Sequence, residues 1–257
     1  MCSVTASHVV SGASMDSNYE AYDHLASYAR IDEILATPDS NYEEVDNLPD
    51  REALTFTNGF YASCTALFID IRESSKLPST YDGPDLARIY RAFISEIVAI
   101  FNSDFYAREI NIVGDCVWGV YRTSSSTDID DIFALAAMAN SLTKVLNYKM
   151  RQNGYDTPLR FGIGMSYGRV LMIKAGYSGG GIDDVVHTGD VVNHAAKLAA
   201  RGSDGWWLPP IFVAEQVYQS LNEHNQRLLR RANYLEPCYQ GNPVNSDMEE
   251  WYAANCT

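Results

Sequence analysis

Apolar residues recur along the chain with two different spacings, and the change between them divides it into three predicted parts. The first set falls on one face of a predicted helix: Tyr22, Leu25, Tyr28, Ile31 and Leu35. This helix and an acidic linker make an N-terminal extension over residues 1–54. The apolar face of the helix is expected to pack on its own domain, which is the commoner arrangement, or to strengthen a dimer. From 55 to 231, short apolar runs alternate with helical patterns, which predicts one α/β or α+β domain. Residues 232–257 lack strong periodicity and are predicted to be a tail.

Two strands of this domain are predicted to end at aspartates. The stretch "TALFIDI" is a buried strand that contains Asp70, and "EINIV" and "CVWGVY" are strands joined at Gly114 and Asp115. A helical crossover links the first strand to the second, which makes the two parallel. Because the C-terminal ends of parallel strands lie at one edge of a sheet, Asp70 and Asp115 are expected to meet there.

Two ionised aspartates at such an edge repel each other, and burying them is costly unless a cation lies between them. A hard divalent ion, Mg²⁺ or Mn²⁺, suits carboxylate oxygens best. In the alternative interpretation, Asp115 only serves the hairpin turn and Asp70 only caps its strand. Ser74 and Ser75 follow at the expected start of the crossover, where free backbone N–H groups can receive phosphate oxygens.

Two further segments carry polar or small residues at regular spacing. In "LRFGIGMS", Gly162 and Gly164 share one strand face, which predicts a close approach to the backbone. In "HTGDVVNHAAKLA", a helix is predicted to begin near residues 188–190, with Asn193 and Lys197 on one face. That pair offers an amide and a cation to a ligand, or is simply a solvated helix face.

Composition narrows the classes of function. The formal net charge of −14 repels phosphate backbones and anionic membranes, so we expect no nucleic-acid or membrane partner. Neither a membrane-spanning apolar run nor a signal sequence is evident, and a cytoplasmic location is expected. The five cysteines are scattered and odd in number, which favours reduced thiols over a disulfide framework or a zinc site.

Four segments in this order resemble the catalytic domain of class III nucleotidyl cyclases, the adenylyl and guanylyl cyclase family. They are "FIDIRESS", "INIVGDCVWGVY", "LRFGIGMSYGRVLMIKAG" and "HTGDVVNHAAKLA". The resemblance implies an α+β, ferredoxin-like core with an N-terminal helical extension. It also implies a head-to-tail homodimer, in which each site takes its aspartates from one subunit and its helix residues from the other.

By the same resemblance, Asp70, Asp115 and the backbone carbonyl of Ile71 would bind two Mg²⁺ or Mn²⁺ ions. The 3′-hydroxyl of a nucleoside triphosphate would then attack the α-phosphorus, and pyrophosphate would leave. Asn193 would orient the ribose. Lys197 stands where the family has an arginine that stabilises charge on the α-phosphate, and lysine lacks the planar bidentate fork.

Base choice in the family rests on two positions, which are Asn111 and Val186 here. Neither of the residue pairs with which the family reads a purine is present. The amide of Asn111 can donate and accept hydrogen bonds, which suits the edge of uracil or cytosine. Val186 has no polar group and can contribute only through its shape. The alternative is that both are ordinary strand residues. A pyrimidine is smaller than a purine and leaves part of the base pocket empty. We expect Tyr61, its neighbour Phe60, or Arg108 next to the strand that carries Asn111 to fill that space.

The whole pattern resembles the bacterial pyrimidine cyclases of the Pycsar anti-phage system. It implies an enzyme that converts UTP to 3′,5′-cyclic UMP as a second messenger, with CTP as the alternative substrate. A catalytically inactive nucleotide-binding regulator is a further alternative, favoured by Lys197 and Val186. A palm-type cyclic-dinucleotide synthase is not favoured, because the hairpin tip reads "VGDCVW" and lacks the Gly-Gly-acidic-acidic pattern.

Overall fold

The computed structural model describes residues 19–178, 181–205, 207–232 and 237–256. The helices are α1 (His24–Leu35), α2 (Gly83–Phe101), α3 (Ser126–Gln152), α4 (Asp190–Arg201), α5 (Glu215–Ser220), α6 (Glu223–Arg227) and α7 (Ser246–Asn255). The strands are β1 (Tyr42–Glu44), β2 (Gly59–Ile71), β3 (Ala107–Val113), β4 (Cys116–Arg122), β5 (Phe161–Tyr177), β6 (Ile182–Thr188), β7 (Ile211–Ala214), β8 (Leu229–Ala232) and β9 (Cys238–Gly241).

The strands form one mixed sheet in the order β3-β4-β2-β5-β7-β9-β8, with β1 added to β2 and β6 added to β5. Strand β4 runs antiparallel to both β2 and β3. Strands β2 and β3 are therefore parallel, as the sequence predicts, although β4 lies between them. The α2 crossover brings the chain back so that both strands end at the same edge.

Each face of the sheet carries its own core. The larger core lies under α2 and α3 and includes Phe93 and Phe161. The smaller core lies under α4, which sits almost on the backbone of β5. A Cβ added to Gly162 would lie 2.1 Å from the carbonyl oxygen of Ala199, and one added to Gly164 would lie 2.1 Å from that of Ala195. The close approach predicted at these glycines is confirmed, and α4 is its cause.

The linker within the predicted N-terminal extension belongs to the domain. Leu48 and Leu54 are almost fully buried in the smaller core, and β1 pairs in parallel with β2. The predicted placement of this acidic segment outside the domain is therefore wrong, because two leucines within it pack into the core.

Helix α1 forms where predicted, but its apolar stripe does not pack on the domain. Leu25, Tyr28 and Leu35 are 68%, 57% and 79% exposed, and the one residue that α1 buries is Ser27. The expectation that the stripe packs on its own chain is therefore wrong, because helical periodicity defines a face without defining what covers it.

The C-terminal residues also extend the sheet. Strand β9 pairs antiparallel with both β7 and β8, and the Asn140 side chain on α3 donates a 2.8 Å hydrogen bond to the Pro243 carbonyl. The predicted boundary at residue 231 falls inside β8, so residues 232–257 are not a separate tail. Among the described residues, none of the helices combines the length and apolar character needed to traverse a lipid bilayer.

Candidate active site

The structure brings Asp70 and Asp115 to one edge of the sheet. Asp70 stands next to the end of β2, directly opposite Cys116, and the Ile71 amide donates to the Asp115 carbonyl over 3.3 Å. Asp115 occupies the tip of the β3–β4 hairpin, where Gly114 adopts a φ of +62° that suits a tight turn. The geometry of this turn and the length of β3 therefore place the Asp115 carboxylate close to that of Asp70.

The two carboxylates interact electrostatically. Burial and then the charge of Asp115 raise the pKa of Asp70 to about 6, against the opposing effect of the Arg72 guanidinium, whose Nη1 lies 3.4 Å from Asp70 Oδ2. Burial, together with Asp70 and Asp115, also raises the pKa of the Cys116 thiol to about 12. A site that disfavours the negative charge of its own carboxylates is one that a divalent cation would stabilise.

The donor set at this edge fits a cation that shares its ligands with a substrate. No group of three or more His, Cys, Asp and Glu side chains in the described part of the chain is arranged to hold a metal ion. Mg²⁺ commonly takes one or two carboxylates and completes its shell with water and phosphate oxygens. Two converging aspartates satisfy that requirement.

Asn193 and Lys197 lie on the outer face of α4. Val191 and Ala195 are buried against the sheet, so both polar side chains are turned to solvent. No hydrogen bond or ion pair of the described residues joins either of them to Asp70 or Asp115. A single chain thus leaves the two halves of the predicted site unconnected.

Ser74 and Ser75 begin a short 3₁₀ helix, Ser74–Ser79, and not the crossover helix α2 itself. Ser74 is half-buried and Ser75 is exposed. The preceding residue, Glu73, has a φ of 57°, an uncommon conformation for a residue with a side chain. This left-handed residue turns the chain sharply after the end of β2.

The two predicted base-reading positions lie on opposite faces of the sheet. Asn111 is opposite Trp118 on β4, and that face leads across β2 and β5 to Met172. Val186 is opposite Ile173, whose side chain points the other way because side chains alternate along a strand. The next residue, His187, shares the Asn111 face; its ring meets Trp118 edge-on with centroids 6.3 Å apart.

Glu109 belongs to the same face and was not predicted. Its side chain is 7% exposed; Oε1 lies 3.5 Å from Arg51 Nε and Oε2 lies 3.6 Å from His187 Nδ1. Burial raises the pKa of Glu109 to about 7, with Arg51 opposing, and burial lowers the pKa of His187 to about 4. The sequence signal was a carboxylate two places before Asn111 in the predicted strand "EINIV".

The residues predicted to fill the base pocket have other contacts. Tyr61 is opposite Leu171 and so lies on the Val186 face, where the Arg169 guanidinium stacks 3.6 Å above its ring. Strand alternation therefore puts the Tyr61 side chain on the opposite face of the sheet from Asn111 within one chain. Phe60 does face the smaller core. Arg108 forms an ion pair with Asp50 of the linker.

Comparison with known proteins agrees with this architecture. The adenylate and guanylate cyclase catalytic domain matches residues 57–242. A uridylate cyclase from Gulbenkiania mobilis is 42% identical over 228 residues, which cover 86% of this chain and 88% of that protein. A uridylate cyclase from Treponema porcinum is 36% identical over 234 residues, 90% of this chain and 80% of that protein. The crystal structure of the adenylyl cyclase CyaB from P. aeruginosa has a TM-score of 0.61 and 18% identity, and the match covers 74% of this chain and 98% of that one.

A mixed sheet with α2 and α3 on one face and α4 on the other, ending in two converging aspartates, is the architecture of a class III nucleotidyl cyclase domain. The chain belongs to the adenylate and guanylate cyclase catalytic domain family.

Proposed function

We propose that this protein is a uridylate cyclase, which converts UTP to 3′,5′-cyclic UMP and pyrophosphate. The observation that carries the proposal is the convergence of Asp70 and Asp115, the pair expected to serve metal-assisted phosphoryl chemistry. Its pyrimidine specificity is supported by the 42% and 36% identity to two uridylate cyclases over most of their lengths. The amide of Asn111, which suits a pyrimidine edge, also supports it.

In this proposal Asp70, Asp115 and the Ile71 carbonyl hold two divalent ions, Mg²⁺ or Mn²⁺. Such ions, when bound, lower the pKa of the ribose 3′-hydroxyl and neutralise the triphosphate. The chain positions the reactants so that the hydroxyl oxygen is in line with the α-phosphorus and the leaving pyrophosphate. Ser74, Ser75 and the backbone N–H groups of their 3₁₀ turn receive phosphate oxygens.

Asn193 orients the ribose and Lys197 donates to the α-phosphate. Because α4 turns both side chains to solvent, we propose that they serve the carboxylates of a second copy in a head-to-tail homodimer. Lysine supplies a point charge in place of a bidentate fork, so the α-phosphate is held with less geometric control than by arginine.

A product assay tests the activity. Purified protein is incubated with each of the four nucleoside triphosphates and Mn²⁺, and the products are identified by mass spectrometry. Cyclic UMP is expected; cyclic CMP as the main product would favour the alternative substrate, and tight binding without product would favour an inactive regulator. Asp115→Ala should abolish turnover with an unchanged thermal melt, whereas Asp46→Ala, at an exposed linker position, should not.

The product would act as a second messenger in bacterial anti-phage defence, by resemblance to the Pycsar cyclases. Phage should form fewer plaques on cells that carry the chain with its native neighbouring genes than on cells that carry the Asp115→Ala variant. Equal plaque counts would remove the antiviral role and leave the enzymatic proposal untouched.

A further inference from the structure

Two polar atoms on one face of β3 are buried and have no hydrogen-bond partner among the described residues. They are Oε1 of Glu109, an acceptor, and Nδ2 of Asn111, a donor. The two residues are two places apart on the strand, so their side chains point the same way. Buried polar groups normally form hydrogen bonds. Here an acceptor whose contact with Arg51 Nε is 3.5 Å long lies beside a donor without a hydrogen bond, which leaves both able to bind a ligand with the complementary groups.

A small cavity adjoins this face. It has a volume of about 190 Å³ and lies between β3 and the linker turn of residues 49–52, with Glu109, Arg108, Arg51 and Met172 among its lining residues. Pockets for whole ligands are typically ~300–1,000 Å³, so this one suits a single ring. The linker residues that close it lie before the matched catalytic domain, which begins at residue 57.

We propose that Glu109 is the second base-reading residue of this enzyme, and that with Asn111 it recognises the edge of a pyrimidine in the cavity closed by the linker turn. The inference rests on the proposed function and gives Glu109 the role that the sequence assigned to Val186. Within one chain, the side chain of Val186 lies on the other face of the sheet from that of Asn111.

The chemistry of the edge is complementary. Uracil presents N3–H between two carbonyl oxygens, so Glu109 accepts from N3–H while the Asn111 amide donates to a carbonyl oxygen. Arg51 is a positioning residue, because its Nε lies 3.5 Å from Glu109 Oε1 and its guanidinium is also paired with Asp184. The Asp50–Arg108 ion pair closes the cavity against the second ring of a purine.

Variants at Glu109 test the assignment. Glu109→Met removes the acceptor at similar length, and Glu109→Gln restores an acceptor oxygen. We expect the methionine variant to raise KM for UTP by about tenfold to a hundredfold, with a smaller change in kcat, because the base contact is made before and during the reaction. The glutamine variant should bring KM back to within a few-fold of the original. Glu96→Met, at an exposed position on α2, is the matched control and should change neither constant.

A modified substrate keeps the test decisive even if the methionine variant does not fold. The nucleotide 3-methyl-UTP lacks the N3–H donor, and the unmodified enzyme should use it at least about tenfold less efficiently than UTP. In Glu109→Met that preference should disappear. Equal use of UTP and 3-methyl-UTP by the unmodified enzyme, or an unchanged KM in a folded Glu109→Met, overturns the inference. If the unmodified enzyme forms no cyclic pyrimidine at all, the proposed function itself fails.

Discussion

The Glu109→Gln substitution should make the stability of the protein depend differently on pH. The carboxyl of Glu109 is almost fully buried, and its surroundings include Arg51, Arg108, His187 and Asp184. Burial raises its pKa from the ordinary 4.5 to about 7. Glutamine keeps the shape of the side chain and removes the titration.

The magnitude follows from linkage between protonation and folding. A carboxyl whose pKa is higher in the folded than in the unfolded state keeps its proton when folded, so stability falls as the pH rises between the two values. With a pKa of 4.5 unfolded and about 7 folded, the free energy of unfolding falls by about 3 kcal/mol between about pH 4.5 and about pH 8. Glu109→Gln lacks this loss, so relative to the unmodified protein it should gain about 3 kcal/mol of stability over that interval.

Urea denaturation at both pH values, at one protein concentration, measures this difference directly. His187 Nδ1 lies 3.6 Å from Glu109 Oε2, but burial and Arg51 lower the pKa of His187 to about 4, and loss of a neighbouring carboxyl would not raise it. The ring is therefore neutral in both folded proteins over this interval, and its contribution to the pH dependence is similar in the two. A stability difference between the two proteins that stays constant within about 0.5 kcal/mol across the pH range would refute the buried, protonated carboxyl.

Four further predictions address other parts of the molecule. Lys197→Arg should raise kcat by restoring the bidentate fork; a kcat equal to or below that of the unmodified enzyme would argue against its contact with the α-phosphate. Leu48→Ala should lower the free energy of unfolding in urea by about 2–5 kcal/mol, while Leu25→Ala on exposed α1 should change it by less than about 0.5. Gly164→Ala places a methyl group against the backbone of α4, so the protein should lose at least about 1–3 kcal/mol in the same assay. Arg108→Ala should widen the cavity and raise the ratio of cyclic purine to cyclic UMP in a competition with mixed triphosphates; an unchanged ratio would remove its role in size selection.

The carboxylate edge was predictable because it depends on local patterns and one topological rule. A strand ending near Asp70, a crossover helix and a hairpin tip at Asp115 suffice to bring the two side chains together, and β4 between the parallel strands does not alter that result. The close packing at Gly162 followed equally from alternation along one strand.

The proposed base-reading face was not predictable from sequence spacing alone. The face of the sheet to which the Val186 side chain points depends on the register between β5 and β6. That register is set by pairing between the strands, so it cannot be read from the number of residues between Val186 and Asn193. Glu109 was missed because a charged residue in a strand reads as a surface residue until its burial is known. Strand β9 has only four residues, too short for a periodic signal, and owes its place to pairing with β7 and β8.

The segment around Leu48 and Leu54 has an evolutionary consequence. It is anchored by two leucines and one short strand, and residues 49–52 line the cavity next to Glu109, apart from the sheet edge that carries Asp70 and Asp115. Exchange of this surface segment during evolution would alter the proposed base pocket while Asp70, Asp115 and helix α4 stay unchanged. Grafting this segment between related cyclases is a direct route to enzymes with altered nucleotide preference.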